Sequence, residues 1–437
     1  MNQTKYTEVL CRMRWEDLPE PVKHQSKRCL KDILATGAGG YKLPPAQQMA
    51  DLVLAQYADG PVPLWFTGRR SALVGACFFN AFMVDGLDWH DGFRLTKGHA
   101  GATVVPTAVG VCAAGSQVSG QDLLTAIVIG YEIACRAGLA VHSLYAPAYH
   151  TSGSWASLGA AAAGCKLRAI PAADIDAVLG MAEYYAPISP MIRCTESPSP
   201  LKDGAAAGAW SAGMALQMYQ RGLRGLPSLL TAEPQGRAQM DSLGQDWIIL
   251  RQYFKPYTTC RWAQPPVECL RQLKKEHGFS NDQIDSIVIE TFREAATLGQ
   301  FPPQDTDGAQ YSIVWAAAAM LADGDLKLAQ IHPDRLNDPE ILQIGKKIRC
   351  EQSAEIQVRF PAECLARVRI VLKDGRRLQS STLGAQGDYE SPLSDEEIDD
   401  KFLSLVSGRI GQKKAAKMKT LLDKFEHHNS GDLLAFL

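Results

Sequence analysis

Apolar positions recur at helical spacing through the first half of the chain. They predict helices over residues 22–37 and 45–58, separated by a Gly-Gly and Leu-Pro-Pro break. An apolar run from Ser71 to Met83, rich in Ala, Phe and Val, predicts a buried helix with an acidic cluster emerging at its C-terminal end. Further helices are expected at residues 104–117, 121–139, 152–167, 171–184 and 205–220. Two of these, SGSWASLGAAAAGCKL and DGAAAGAWSAGMALQ, are dominated by small residues. Glycine is a poor helix former, so its repetition among alanines points to close approach between helices, not to propensity.

The period changes after residue 266. IDSIVIETF (284–292), AEIQVRF (354–360) and LARVRIVLKDGRRLQSS (365–381) alternate with period two, and Lys373-Asp374-Gly375-Arg376 predicts a hairpin turn in the last of them. Helical runs at 311–322 and 334–345 lie between these strands. Beyond them, Ser394 and Glu397 have capping-box spacing, with Leu393 as a staple, and a further helix follows Gln412. The expected fold is mainly α: a large all-helical domain interrupted by a smaller α+β domain. Residues 1–266 form its first part, 267–390 the inserted module and 391–437 the return to the helical domain. A ligand cleft is expected at the junction.

Composition narrows the function. With 437 residues, 46% of them apolar, the chain can bury a large core and exceeds the size at which single cores stop growing, about 250–300 residues. Lys plus Arg number 45 against 47 for Asp plus Glu, so no broad basic surface calls for nucleic acid. The 11 cysteines are scattered, which predicts reduced core residues and neither a disulfide framework nor a zinc cluster. The N-terminus lacks a signal-peptide apolar region, and polar residues interrupt each candidate span, so a cytoplasmic protein without membrane contact is expected.

Four regions carry candidate chemistry. In GLDWHDGFRLTKGHAGA, Asp88, His90, Asp91 and His99 suit a metal site, a carboxylate–histidine acid/base group or a paired helix end. Metal is the weakest of these, because no HExxH, Cys-rich or EF-hand pattern accompanies them. Only a returning loop brings Asp91 to His99, and Gly92, Gly98 and Gly101 make one reasonable. His150, in LYAPAYHTSGSW, precedes a helix start and is either a local cap or an active group, whereas His142 is left structural. In SPMIRCTESPSPLKDG, Arg193 and Lys202 are solvated cations or contacts for an anionic substrate; Lys202, ahead of an Ala/Gly helix, adds its charge to the helix's positive end. In YFKPYTTCRWAQPP, Lys255, Tyr257, Arg261 and Trp262 form a cationic cleft wall or a domain junction. No Rossmann, P-loop, G-x-S-x-G or pyridoxal-lysine signature occurs in a suitable context, so no cofactor is expected.

Taken in order, LDWHDGFRLTKGHAGA, YHTSG, SPMIRCTESPSPLKDG, YFKPYTTCRW, AQYSIVWAAAAML and GDYESPLSDEEIDDKF resemble the MmgE/PrpD family over almost the whole chain. The resemblance implies a helical domain interrupted by an α+β lid, a homodimer, and neither metal nor organic cofactor. It also implies a small di- or tricarboxylate substrate and proton transfer at a carbon next to a carboxylate. It gives catalytic positions to Asp88, Asp91, His99, His150, Lys202 and Lys255 and places Tyr311 in a family segment; His90, Arg193, Tyr257, Arg261, Gln264 and Tyr311 are expected to contact substrate. Two positions depart from the family pattern: His90, where Asp or Asn is usual, and Gln264, where many members have His. The leading expectation is a lyase of the dehydratase type, ahead of an epimerase of an iminodisuccinate-like acid, a decarboxylase of a cis-aconitate-like acid and a non-catalytic relative.

Overall fold

A computed structural model describes residues 5–115, 117–144 and 150–437. The protein is mainly α, and its chain divides into two compact units. The first comprises residues Met1–Ile192, Leu201–Tyr253 and Ser394–Leu437; the second comprises Arg193–Pro200 and Phe254–Leu393. The second unit therefore begins upstream of the change of period near residue 266.

The first unit is built on helices Glu20–Gly40, Leu73–Leu87, Gly101–Ala114, Gly120–Leu144, Ser152–Leu167 and Ala205–Gln220. Small residues allow their backbones to meet. A Cβ on Gly159 would collide with the carbonyl of Gly130, where Gly120–Leu144 crosses Ser152–Leu167. A Cβ on Gly208 would meet Gly153, where Ser152–Leu167 crosses Ala205–Gln220. Helix Gly120–Leu144 is long and apolar enough to cross a membrane, yet 94% of its apolar window is buried within the fold. Inside it, Glu132 and Arg136 pair at 3.3 Å. Helix Asp395–Ile410 starts with the expected box: Ser394 Oγ accepts from the Glu397 N–H, and Glu397 Oε2 accepts from the Ser394 N–H at 2.7 Å.

The second unit holds a four-stranded sheet in the order Ile348–Gln352, Ile284–Thr291, Ala366–Leu372, Arg377–Gln379. The first pair is parallel and the other two are antiparallel. The hairpin turn at 373–376 forms as the sequence predicts. AEIQVRF does not form a strand: Ser353 Oγ accepts from the Ile356 N–H and starts the short helix Ala354–Gln357. The strand beside it, Ile348–Gln352, carries mostly exposed polar side chains and so lacks an apolar alternation. Helices Gln264–His277 and Ile313–Asp323 pack together, and Gln264–His277 also covers Ala366–Leu372.

Candidate active site

The quoted loop begins where helix Leu73–Leu87 stops. Asp88 caps it in the left-handed conformation, φ 52°, its N–H donating to the Asp85 carbonyl. The chain then runs through the short strand Gly92–Phe93, which pairs antiparallel with Gln252–Tyr253, and turns back at Lys97, also left-handed at φ 51°. A Phe93–Gly98 bridge closes the return. The expected freedom of the glycines is not what shapes this loop, since its positive φ angles belong to Asp88 and Lys97. The glycines serve close approach: a Cβ on Gly92 would strike Tyr253 and His99 Nδ1, and one on Gly101 would strike Tyr131 and Asp91.

His99 is held at three points. Its backbone N–H donates to Ser152 Oγ at 2.9 Å, and its Nδ1 lies 2.6 Å from the Asp91 carbonyl oxygen. That oxygen can only accept, so Nδ1 carries the hydrogen and Nε2 is the atom that gains or loses a proton. Nε2 lies 3.6 Å from Asp203 Oδ2, which accepts from Ser152 Oγ at 3.0 Å. Asp91 therefore orients His99 through its main chain, while its carboxyl accepts from Tyr131 at 2.5 Å.

Behind this loop lies a polar support that the sequence reading did not anticipate. Asp32 Oδ2 accepts from the Asp91 N–H at 2.9 Å. Lys401 donates to Asp32 Oδ1 at 2.6 Å and to the Trp89 carbonyl, with its ammonium over the Trp89 ring. Burial raises Asp32, against the pull of Lys401. Burial and then the Asp32 charge push Asp91 up to about 8. One lysine thus faces two buried carboxyls, both raised by burial.

Lys202 also has a left-handed backbone, φ 44°, and is buried. It precedes Asp203, whose carbonyl accepts from the Gly153 N–H at 3.0 Å and from Thr151 Oγ1, and Gly204, which leads into helix Ala205–Gln220. The expected anion trap at that helix start is already occupied: Asp85 Oδ2 accepts the Ala205 N–H at 3.0 Å. Burial raises Asp85 to about 7, and the Lys202 charge opposes the rise. Burial likewise raises Asp203, with the charge of His99 acting against it. His150 stands just before Thr151, the N-cap of Ser152–Leu167, and burial lowers its pKa. Its carbonyl lies 3.4 Å from His142 Nε2, and burial lowers His142 to about 4.

His90 is completely enclosed and makes contacts inside the protein: a 3.6 Å approach of Nε2 to Asp85 Oδ1 and a tilted ring contact with His99, centroids 4.3 Å apart. Asp88, His90 and His99 each offer a ligand atom within 4.8 Å of one another, a donor set that zinc or iron accepts.

The remaining predicted residues belong to the second unit. Lys255 is buried. Tyr257 donates to Glu268 Oε1 at 2.7 Å, and burial, then Glu268, raises its hydroxyl. Arg261 pairs with Asp388 at 2.5 Å and reaches the Ala385 carbonyl and Gln264 Oε1. Gln264 Nε2 donates to the carbonyls of Tyr257 and Thr259. Gln264 spends these polar contacts on its own turn, and Arg261 ties that turn to residues 385–388 of the same unit. Tyr311 is buried at the end of helix Thr306–Tyr311, and Arg193 is exposed.

Comparison with known proteins gives consistent matches across both units. A profile of the MmgE/PrpD N-terminal domain matches residues 5–249, and one of the MmgE/PrpD C-terminal domain matches residues 257–427. A cis-aconitate decarboxylase-like protein of Aspergillus oryzae is 22% identical over 437 aligned residues, covering 92% of this chain and 90% of the relative. The cis-aconitate decarboxylase of Mus musculus is 24% identical, covering 94% and 87%. That of Aspergillus terreus is 21% identical, covering 93% and 89%.

Proposed function

From the premise that the chain belongs to the MmgE/PrpD family, we propose that it is a cofactor-independent lyase of the dehydratase type, acting on a small di- or tricarboxylate. The observation that carries this reading is the His99 imidazole, fixed with Nδ1–H on a carbonyl and Nε2 beside Asp203. A carbon next to a carboxylate is a weak acid, so its proton must meet a base already in place and its charge a cation. His99 Nε2 is that base, and Lys202 faces the developing enolate, with Lys255 the corresponding cation of the second unit. The leaving hydroxyl takes its proton from an acid at the site; Asp203 fits, because burial raises its carboxyl and His99 can then return the substrate proton to it and reset both groups. His150, lowered by burial, starts without a proton and is the second acceptor. Asp88 and Asp91 hold the loop; Arg193, Tyr257 and Tyr311 are assigned to substrate contact.

The sheet-bearing unit is proposed as a lid-type module and the protein as a cytoplasmic homodimer. A second reading, decarboxylation, draws on the names of the relatives; there Lys202 would meet the carbanionic charge left by carbon dioxide. Epimerisation needs the same base and a donor on the opposite face.

Proton NMR in deuterated buffer separates these readings, using 2-methylcitrate, citrate, cis-aconitate and iminodisuccinate. Dehydration with deuterium entry is expected. Loss of carbon dioxide or inversion without elimination would replace the leading reading, and silence from folded protein across the panel would remove the carbon-acid assignment for these substrates.

A further inference from the structure

Ser152 stands where three stretches of the first unit meet: the returning loop at Gly98 and His99, the start of helix Ser152–Leu167, and Asp203 with Gly204 ahead of Ala205–Gln220. Close backbone approach fixes the meeting. A Cβ on Gly98 would strike Ser152 Oγ and the Trp155 ring, and one on Gly153 would strike the Gly204 carbonyl. Thr151 and Gly153, on either side of Ser152, both donate to the Asp203 carbonyl, Thr151 through its hydroxyl and Gly153 through its N–H at 3.0 Å.

A serine hydroxyl has one hydrogen to give and lone pairs to accept with. The His99 N–H, 2.9 Å away, can only donate, so it takes a lone pair and leaves the hydrogen for Asp203 Oδ2 at 3.0 Å. That oxygen is the one that lies 3.6 Å from His99 Nε2. The two groups are held differently. The His99 ring is fixed through Nδ1 on the Asp91 carbonyl, whereas the Asp203 main chain is clamped and its carboxyl can still turn about the side-chain bonds. The Ser152 hydrogen bond opposes that turn. Both side chains are buried, which strengthens the contact.

We propose that Ser152 is a positioning residue: its hydroxyl aims the Asp203 carboxyl at the leaving hydroxyl of the substrate and keeps Oδ2 within reach of His99 Nε2 for the return of the proton. The role is one of direction, and it is the same whichever of His99 and Asp203 holds the proton at rest. This inference rests on the reading above, in which Asp203 is the acid, and Ser152 reaches the substrate only through that carboxyl.

The test is a double-mutant cycle in the full-length protein, Ser152→Ala with Asp203→Asn, read as kcat and KM on the substrate that the NMR panel identifies. Ser152→Ala is expected to lower kcat about ten- to a hundredfold, the scale of a catalytic group displaced by about 1 Å or less, with KM within about twofold. In the Asp203→Asn background the same change is expected to cost less than about twofold, because the carboxyl it aims is gone. An equal loss of kcat in both backgrounds, or a rise in KM alone, would overturn the proposal in favour of mere packing. Should Ser152→Ala fail to fold, Ser152→Cys, close in shape and a weak donor, takes its place with the same expectations. Infrared difference spectroscopy reads the contact without turnover: the carboxyl band that Asp203→Asn removes is expected to move in the Ser152 variant. A band that stays in place overturns the proposal even where a substrate reacts. A band that moves supports the contact, and in a protein silent across the whole panel it is then the carbon-acid reading alone that fails.

Discussion

At the scale of single residues, the site depends on which atoms are already engaged. His99→Asn removes the atom that can take a proton while retaining hydrogen-bonding capacity toward the Asp91 carbonyl. Turnover is expected to fall at least about a hundredfold with thermal stability nearly unchanged, as for loss of an acid/base group. Full turnover in that variant, measured on the substrate that the NMR panel identifies, would take His99 out of the mechanism. The sequence made most of these side chains visible, because Asp, His and Lys standing among Gly and Ala are conspicuous. It did not disclose how they are used. Asp91 works through its carbonyl, Arg261 is matched by Asp388 and Gln264 braces a turn. Such assignments depend on distances that spacing along the chain does not encode. Asp85, which the sequence reading passed over, had a signal: it is an acid in an apolar run, VGACFFNAFMVDGL, where an unsatisfied charge would be costly.

At the scale of elements, the support comes from far along the chain. Helix Asp395–Ile410 presents Ile398, Lys401, Phe402 and Leu405 on one buried face, so Lys401 occupies a core position by helical spacing. That placement was legible in principle; its partner, Asp32 in helix Glu20–Gly40, was not, because the two are 369 residues apart. Lys401→Met leaves Asp32 buried without its cation and the Trp89 carbonyl without this donor. Breaking a buried pair in this way costs about 3–5 kcal/mol, and adding Asp32→Asn should recover part of the loss. Urea unfolding of the single and double variants measures both; a Lys401→Met protein as stable as the parent would show that the amine is not holding the loop. The helices of the first unit were readable because their apolar runs are long. The sheet was harder: Ile348–Gln352 is short and polar, while AEIQVRF alternates like a strand but is claimed by the Ser353 cap. Local capping outweighs a weak period over so few residues.

At the scale of the whole molecule, the buried carboxyls leave a signature in stability against pH. Asp85 and Glu132 are each raised to about 7 and Asp91 to about 8, burial being the first cause in all three. Their folded forms bind protons that the unfolded chain releases near pH 4, so their contribution is complete below that pH and is lost as pH rises toward 8. His142 acts the other way: lowered to about 4, it costs stability as pH falls from 6.5, because there the unfolded chain takes the proton more readily. Asp32 and Asp203, also raised, act with these carboxyls and His150, also lowered, acts with His142, so the balance stays with the carboxyls between pH 5 and pH 7, where a group inside its window contributes up to roughly 1.4 kcal/mol per pH unit. The exposed ion pairs that lower Asp51 and Asp17 weaken only below pH 4 and do not enter this range. The melting temperature is therefore expected to be higher at pH 5.5 than at pH 8, the reverse of a protein whose stability is dominated by buried neutral histidine. Thermal unfolding followed by circular dichroism at the two pH values, at equal ionic strength, checks it. A melting temperature that is level or higher at pH 8 would mean that these carboxyls are ionised in the folded protein, and that charge within the fold has to be reassigned, beginning with Asp91 and Tyr131.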